Sequence, residues 1–307
     1  MTAQTSSVIT GRPIAGVRPE AGVRSEAKAR SMKRPTLTQM QEKGKWWRFL
    51  AILIITVIVV IPIVAVVFLA LSPALGSTAT GLTFENFVNV FTQTDVATWL
   101  KNSLIVTLIT VVVAVIVAAP AGYVLSRGRS RAVSGYSLIL FVVQSLPVVT
   151  AVIPLFFLFA QVGLVDTLAS VTIIYVGSTM AVAIWMMAAY FDSIPVTLEE
   201  AAWMDGASVF GGFTRIVLRN SLPGVLSTAI FAFLLAWNDY LVAVVFLRSN
   251  DNYTLPIGLQ SFFQQNQTNW GLVMAVAVIM MLPPVILFAL LNRYFSVGGI
   301  GGSLAGR

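Results

Sequence analysis

Six apolar runs decide what this chain can become: roughly Phe49–Leu71, Ser103–Leu125, Tyr136–Phe159, Leu168–Tyr190, Val225–Leu247 and Gly271–Leu291. Each is close to the ~20 residues that a helix needs to cross the hydrocarbon of a bilayer. No water reaches the backbone there, so a spanning segment must pair its own N–H and C=O groups, as a helix does. The composition agrees: 57% hydrophobic and 10% charged is a membrane balance, not that of a soluble domain. The predicted fold class is therefore an all-α membrane protein with six transmembrane helices.

The charges set the orientation. With six spans both termini lie on one side, and all but two of the 19 Lys and Arg residues, Lys101 and Arg248, fall on that side. Cytoplasmic loops are the ones enriched in Lys and Arg, so both termini are expected in the cytoplasm. The net charge of +7 is thus a topology signal, and nothing pairs it with a nucleic-acid-binding module. Residues 1–45 are expected to form a mostly disordered cytoplasmic tail. Their cations either bind lipid headgroups, through Lys33, Arg34, Lys43, Lys45 and Arg48, or simply flank the first span. Residues 46–291 form the transmembrane domain, with a polar loop at 192–223, and 292–307 a glycine-rich cytoplasmic tail. The first span, with Trp46 and Trp47 at the interface, is an uncleaved anchor: its apolar run exceeds a signal-peptide core.

Two absences narrow the chemistry. The chain has no Cys and no His, which excludes disulfides and thiolate metal sites and removes the commonest general base. It also lacks the Gly-x4-Gly-Lys-Ser/Thr phosphate loop, so no ATP site of that kind is present. An enzyme is disfavoured, and no cofactor or metal is expected on this chain.

The polar loop is too regular to be slack. Thr197 followed by Glu200 predicts a capping box and a short helix, which Gly206 ends with a sharp turn. Ser208 is placed to cap a second helix, along which Phe210, Phe213 and Val217 recur at helical spacing. Arg215 and Arg219 stand on another face, and Pro223-Gly224 stops the helix before the next apolar run.

Glu200-Ala201-Ala202, three residues, Gly206, nine residues, then Ile216-Val217-Leu218 resembles the EAA loop of binding-protein-dependent ABC importer permeases. Arg219 stands where that family usually has Pro. Leu82-Thr-Phe-Glu-Asn-Phe before the core, Trp237-Asn238-Asp239 in the fifth run, the outer amide-rich loop and the glycine-rich tail extend the likeness over about 49–307. Within the family the chain is most similar to the sugar branch and its maltose-type, MalG-like second permease. The resemblance implies a type I importer architecture in a bacterial cytoplasmic membrane. It implies a homologous second permease, two ATPase subunits that bind ATP and Mg, an external solute-binding protein and a sugar substrate carried by alternating access. It also implies that Glu199, Glu200, Ala201, Ala202, Asp205, Gly206, Ile216 and Leu218 couple the chain to the ATPase.

Candidate pathway residues are Gln144, Tyr175, Trp237, Asn238 and Asp239. A carboxylate at mid-span costs about 2.5–3.5 kcal/mol on insertion, so Asp239 should face protein or a watery cavity. It either contacts substrate hydroxyls, with Trp237 as a stacking face, or makes a buried interhelix hydrogen bond. Pro62, Pro120, Pro147, Pro154, Pro283 and Pro284 are expected to break or bend the spans. Gln264, Gln265, Asn266, Gln267 and Asn269 in the outer loop, beside Phe262, Phe263 and Trp270, are candidates for contact with the binding protein. An ion- or proton-coupled secondary carrier using Asp239 is the alternative from another class, though it leaves the polar loop unexplained.

Overall fold

The computed structural model describes residues 45–73, 80–264 and 268–304. Residues 1–44, most of the expected tail, lie outside them. Among the described residues the regular structure is entirely helical. The chain divides at Val59 and Val60 into two compact units.

In the first unit the described residues belong to helix α1 (Lys45–Ala70), where Trp46 packs edge-on against Phe49 at 6.2 Å. The second unit holds the end of α1 and everything after it. Next comes a short amphipathic helix α2 (Glu85–Gln93), then the long α3 (Val96–Arg127). The segment 72–102, between the first two apolar runs, therefore contains α2 and the first residues of α3. Its polar groups serve packing: Asn86 is fully buried and its amide donates to the carbonyls of Ala70 and Ser72 at 3.0 and 2.7 Å.

The third run is not one straight span. It forms α4 (Arg131–Ser145) and α5 (Val148–Gln161), bent by 91° at Leu146-Pro147. Proline disfavours the helical region for its predecessor, and Leu146 is extended at φ −85°, ψ 118°. The other in-run prolines, Pro62, Pro120, Pro154, Pro283 and Pro284, all sit inside continuous helices. A single lost donor is tolerated at membrane depth where neighbours satisfy the freed carbonyl, so the expected general breakage is confined to Pro147.

Helix α6 (Leu168–Asp192) packs along α3 through small residues: Ala114, Ala118, Ala119, Ala181 and Ala183 are all buried. Gly122 is the tightest point, because a Cβ there would stand 2.7 Å from the Cβ of Met187 and 3.0 Å from a backbone nitrogen. After the polar arm come α9 (Leu222–Asn238) and α10 (Leu241–Phe246), with the chain between them extended at Asp239, φ −72°, ψ 128°. The fifth span is thus broken where it had been expected to be continuous. Helix α11 (Leu255–Ser261) fills the gap beyond, where a Cβ on Gly258 would overlap the Trp99 ring. The last helix, α12 (Trp270–Leu304), runs through most of the stretch read as a glycine-rich tail. Four described helices are long and apolar enough to cross a membrane, and up to six spans result if two bent pairs, α4 with α5 and 209–220 with α9 (bent by 76°), each count as one.

Candidate functional site

The polar arm consists of α7 (Thr197–Met204) and α8 (Val209–Asn220). Its first turn does not start with a capping box. Val196 is already helical at φ −61°, ψ −28°, and its carbonyl accepts from the N–H groups of both Glu199 and Glu200. That places Thr197 inside the first turn, with no side-chain cap, and leaves Glu200 exposed. The end follows expectation. Gly206 has φ +88°, Ala207 N–H donates to Ala202 O at 2.9 Å, and Gly206 N–H to Trp203 O at 3.0 Å. This is a left-handed glycine cap that satisfies two terminal carbonyls. Ser208 then caps α8, its hydroxyl accepting from Gly211 N–H at 3.1 Å. Trp203 folds over Gly212, where a Cβ would approach the indole nitrogen to 2.9 Å.

Within α8, Phe213–Val217 form a π-turn, in which Leu218 N–H reaches Phe213 O. Phe213 and Val217 are buried, with Phe213 4.8 Å from the Tyr123 ring, whereas Phe210 is 73% exposed. Ala201, Asp205 and Gly206 are exposed with Glu200; Ala202, Ile216 and Leu218 are half-buried. Met204 is 89% exposed, so the outward face of the arm mixes acids with large apolar groups.

Glu199 differs from these. It is completely buried, and both carboxylate oxygens are engaged. Arg127 Nε donates to Oε1 at 2.8 Å and Nη2 lies 2.7 Å from the same oxygen, while Tyr123 OH donates to Oε2 at 2.6 Å. Arg127 Nη2 also donates to Ile194 O at 3.1 Å and Nη1 to Ser126 Oγ at 3.1 Å. Ser126 in turn donates to Asp192 Oδ1 at 2.5 Å. Glu199, one of the expected coupling residues, thus faces inward, and its carboxylate already has partners inside the chain. The sequence signal for Arg127 was its place at the end of the second run; nothing local marked Tyr123.

At mid-span, Asp239 sits in the break between α9 and α10. Its Oδ1 accepts from Val242 N–H at 3.0 Å, Ala243 N–H at 3.2 Å and Tyr175 OH at 2.8 Å. An anion at a helix N-terminus meets unpaired donors and the positive end of the dipole, which accounts for a carboxylate at this depth. Trp237 does not present a stacking face. It is 1% exposed, lies parallel to Phe233 at 5.6 Å, and donates through Nε1 to Met280 O. Asn238 is exposed and borders an open groove of about 400 Å³ with Val66, Leu234, Leu259, Met280, Met281 and Pro284. Gln144 is exposed just before the Pro147 break, apart from the Tyr175–Asp239 pair in chain position and setting.

At the other end of the bundle, Asn269 caps α12, accepting from Gly271 and Leu272 N–H at 3.1 and 3.3 Å. Gln265, Asn266 and Gln267 lie outside the described residues, and Gln264 ends a tight turn begun at Phe262. The same end carries a knot that the sequence did not signal. Asp166, at φ 61°, accepts from the N–H groups of Arg248 and Ser249 at 2.8 and 3.0 Å. Burial pushes its carboxyl up, but backbone N–H donation from Ser249 and Arg248 outweighs that and holds it at about 2 against an ordinary 3.8. Among the described residues no three His, Cys, Asp or Glu side chains gather to hold a metal.

Residues 112–297 match the family described as binding-protein-dependent transport system inner membrane component. The chain belongs to this family. It is a permease subunit of an ABC importer, a multi-pass inner membrane protein that is not itself the ATP-hydrolysing enzyme. The inner membrane ABC transporter permease protein YcjP of Escherichia coli K12 is 34% identical over 73% of this chain and 81% of its own length. The arabinooligosaccharides transport system permease protein AraQ of Halalkalibacterium halodurans is 32% identical over 72% and 80%. The maltodextrin transport system permease protein MalD of Streptococcus pneumoniae is 33% identical over 72% and 79%. In fold, the chain is similar to a bacterial ABC transporter involved in import of the acidic polysaccharide alginate, with TM-score 0.70, 21% identity and coverage of 83% of this chain and 98% of that one. Membership in a binding-protein-dependent family leaves the ion-coupled carrier without support, and Asp239 has a structural role that needs no coupled ion.

Proposed function

We propose that this permease forms half of the translocation pathway for an oligosaccharide or related carbohydrate, delivered by an external binding protein. A second, homologous permease forms the other half, and two ATPase subunits dock on the α7–α8 arm from the cytoplasm. The observation that carries the docking half is the arm itself. It is a capped helix pair projecting Glu200, Asp205, Met204 and Phe210, a mixed acidic and apolar face with room for a partner. The substrate class rests on relatives whose names specify arabinooligosaccharides, maltodextrin and diacetylchitobiose. In this reading the arm moves with the ATPase dimer and the spans rock between inward and outward openings. Both termini are cytoplasmic, because Lys and Arg concentrate on their side. Gln144 and Asn238 remain the exposed candidates for substrate contact; Tyr175, Asp239 and Trp237 shape the pathway wall from within. Gln264–Gln267 contact the binding protein.

The test is purification from the native membrane in mild detergent, followed by identification of what remains bound. The reading requires an ATPase, a second permease and a binding protein that takes up maltodextrins or arabinooligosaccharides in a ligand screen. Tags at residue 5 and residue 305 should report cytoplasm, and one between Asn250 and Thr268 the outside. Recovery of the chain without an ATPase, or a binding protein that takes only amino acids or metal ions, would refute the reading.

A further inference from the structure

We propose that the buried Glu199–Arg127 pair is a strut that makes α7 move as one piece with the ends of α3 and α6. Glu199 is then a positioning residue acting from inside the chain, one position before the exposed Glu200. The proposal rests on the docking of an ATPase to the arm put forward above.

Three observations carry it. First, Glu199 is the one buried residue of α7. Trp203 folds over Gly212 within the arm, so the attachment of α7 to the spans runs through this one carboxylate, through α8 and through the chain at its two ends. Second, the attachment reaches several elements at once. Arg127 ends α3, and it binds Glu199 on α7 while also donating to Ile194 O just past α6. Ser126 links the same guanidinium to Asp192 at the end of α6. Tyr123, one turn back on α3, holds the second carboxylate oxygen and packs its ring on Phe213 of α8. A push on α7 therefore reaches α3 and α6 through directional bonds to both carboxylate oxygens.

Third, stability alone does not call for these charges. A well-packed apolar set usually replaces a buried ion pair at no loss, whereas charge-assisted bonds with fixed fork geometry hold one relative orientation. A greasy contact between α7 and the bundle would slide under load. A guanidinium that donates through Nε and Nη2 to one carboxylate oxygen, while a phenol holds the other, resists sliding because its donors and acceptors must stay aligned.

The test uses the complex purified from the native membrane, and the absence of cysteine in the chain makes site-specific labelling direct. Spin labels on Thr197→Cys, in the exposed first turn of α7, and Gln93→Cys, exposed at the far end of α2, report the distance along the bundle. It is measured without nucleotide and with ATP trapped by vanadate. In the otherwise wild-type chain both states should give narrow distributions, with a shift between them. Glu199→Gln should keep the ATPase bound and ATP hydrolysed, but broaden the distribution and lose the shift. Tyr123→Phe, which leaves the ion pair intact, should show a smaller broadening in the same direction, and Arg127→Lys an intermediate one.

Narrow, shifting distributions in Glu199→Gln would overturn the strut. So would lost assembly with wild-type behaviour in the fraction that assembles, which is the mark of a merely structural pair. If Glu199→Gln does not assemble, the decision passes to Tyr123→Phe and Arg127→Lys: broadening upholds the strut and wild-type distances overturn it. Failure of the wild-type chain to retain any ATPase would instead overturn the docking reading, and that is read before any variant is made.

Discussion

Glu199, fully buried at the arm, and Asp239, half-buried at mid-span, are carboxylates satisfied in opposite ways. Glu199, at the root of the arm, is neutralised by a full positive charge and a phenol. Asp239, in the broken fifth span, meets no cation among its hydrogen-bond partners. Two backbone N–H groups and the Tyr175 hydroxyl share its charge. The difference teaches how position sets the cost. Glu199 lies where the end of α3 brings Arg127 within reach, so the ion is solvated by a protein partner. Asp239 lies where an arginine would itself have to be buried, and a freed helix N-terminus supplies the partial charge instead.

The sharpest way to break this comparison is to remove the cation. Arg127→Ala leaves Glu199 charged and buried without its partner, and such a change typically costs about 3–5 kcal/mol. The expected outcome is strong loss of folded protein in detergent, measured by thermal unfolding and yield. The double change Arg127→Met with Glu199→Leu removes both charges and should recover most of the loss. If the single variant is as stable as wild type, the pair is not a buried ion pair in the working molecule.

Smaller effects are expected at Asp239, because no full charge is left stranded. Asp239→Ala removes a helix cap and the acceptor for Tyr175, together about 1–3 kcal/mol. Tyr175→Phe, which removes one donor from a charged acceptor, should cost less than Asp239→Ala in the same assay. Asp239→Asn retains an oxygen acceptor and should fall below both. An Asp239→Asn that is as damaging as Asp239→Ala would show that the charge, not the cap, holds the break, and would bring Asp239 back as a direct pathway residue.

These two acids also mark what could be read in advance. The spans were legible because a run of apolar residues at bilayer length leaves a backbone no alternative to the helix. The arm was legible from its punctuation: Gly206 and Ser208 end and start helices by local geometry, and both do so here. What the sequence concealed is partnership over distance. Arg127 and Glu199 are 72 positions apart, and neither carries a local mark of the other. Asp239 was visible as an anomaly, yet its neighbour Trp237 suggested an open stacking face when the fold uses that ring as core. No proline marks the break there; an aspartate that caps a half-helix carries the same meaning without one. Glu199 and Glu200 stand side by side in the motif, and only the bundle decides that one faces in and the other out.

A third acid sharpens the comparison from outside the membrane. Asp166 is half-buried, and its carboxyl is held at about 2 by the N–H groups of Ser249 and Arg248. A depressed carboxylate contributes stability above its ordinary value, near 3.8, and loses it as the pH falls towards about 2. The thermal midpoint of the wild-type chain should therefore drop more between about pH 6 and about pH 3 than that of Asp166→Asn, which has no proton to take up. Equal drops in the two chains would mean that this loop does not stay knotted in solution.

The smallest expected effect separates the two starts within the arm itself. Thr197 and Ser208 each stand at the start of a short helix, and either hydroxyl is of a kind that caps. Ser208 does so: it is extended at φ −71°, ψ 164°, and its Oγ accepts from Gly211 N–H. Thr197 does not, because Val196 has already turned into the helix and its carbonyl takes the first bonds. Ser208→Ala should therefore cost about 1 kcal/mol, the usual loss of a serine cap. Thr197→Ala should stay within about 0.5 kcal/mol of zero, since it removes an exposed side chain that makes no cap and adds a better helix former. Thermal unfolding of the two single variants and of the double variant in the same detergent decides it. A loss at Thr197 equal to that at Ser208 would mean that the chain at Pro195-Val196 unwinds in the folded protein, with Thr197 and Glu200 closing the capping box after all. Glu200 would then be occupied with its own backbone, and the outward acid offered to the ATPase would shift to Asp205.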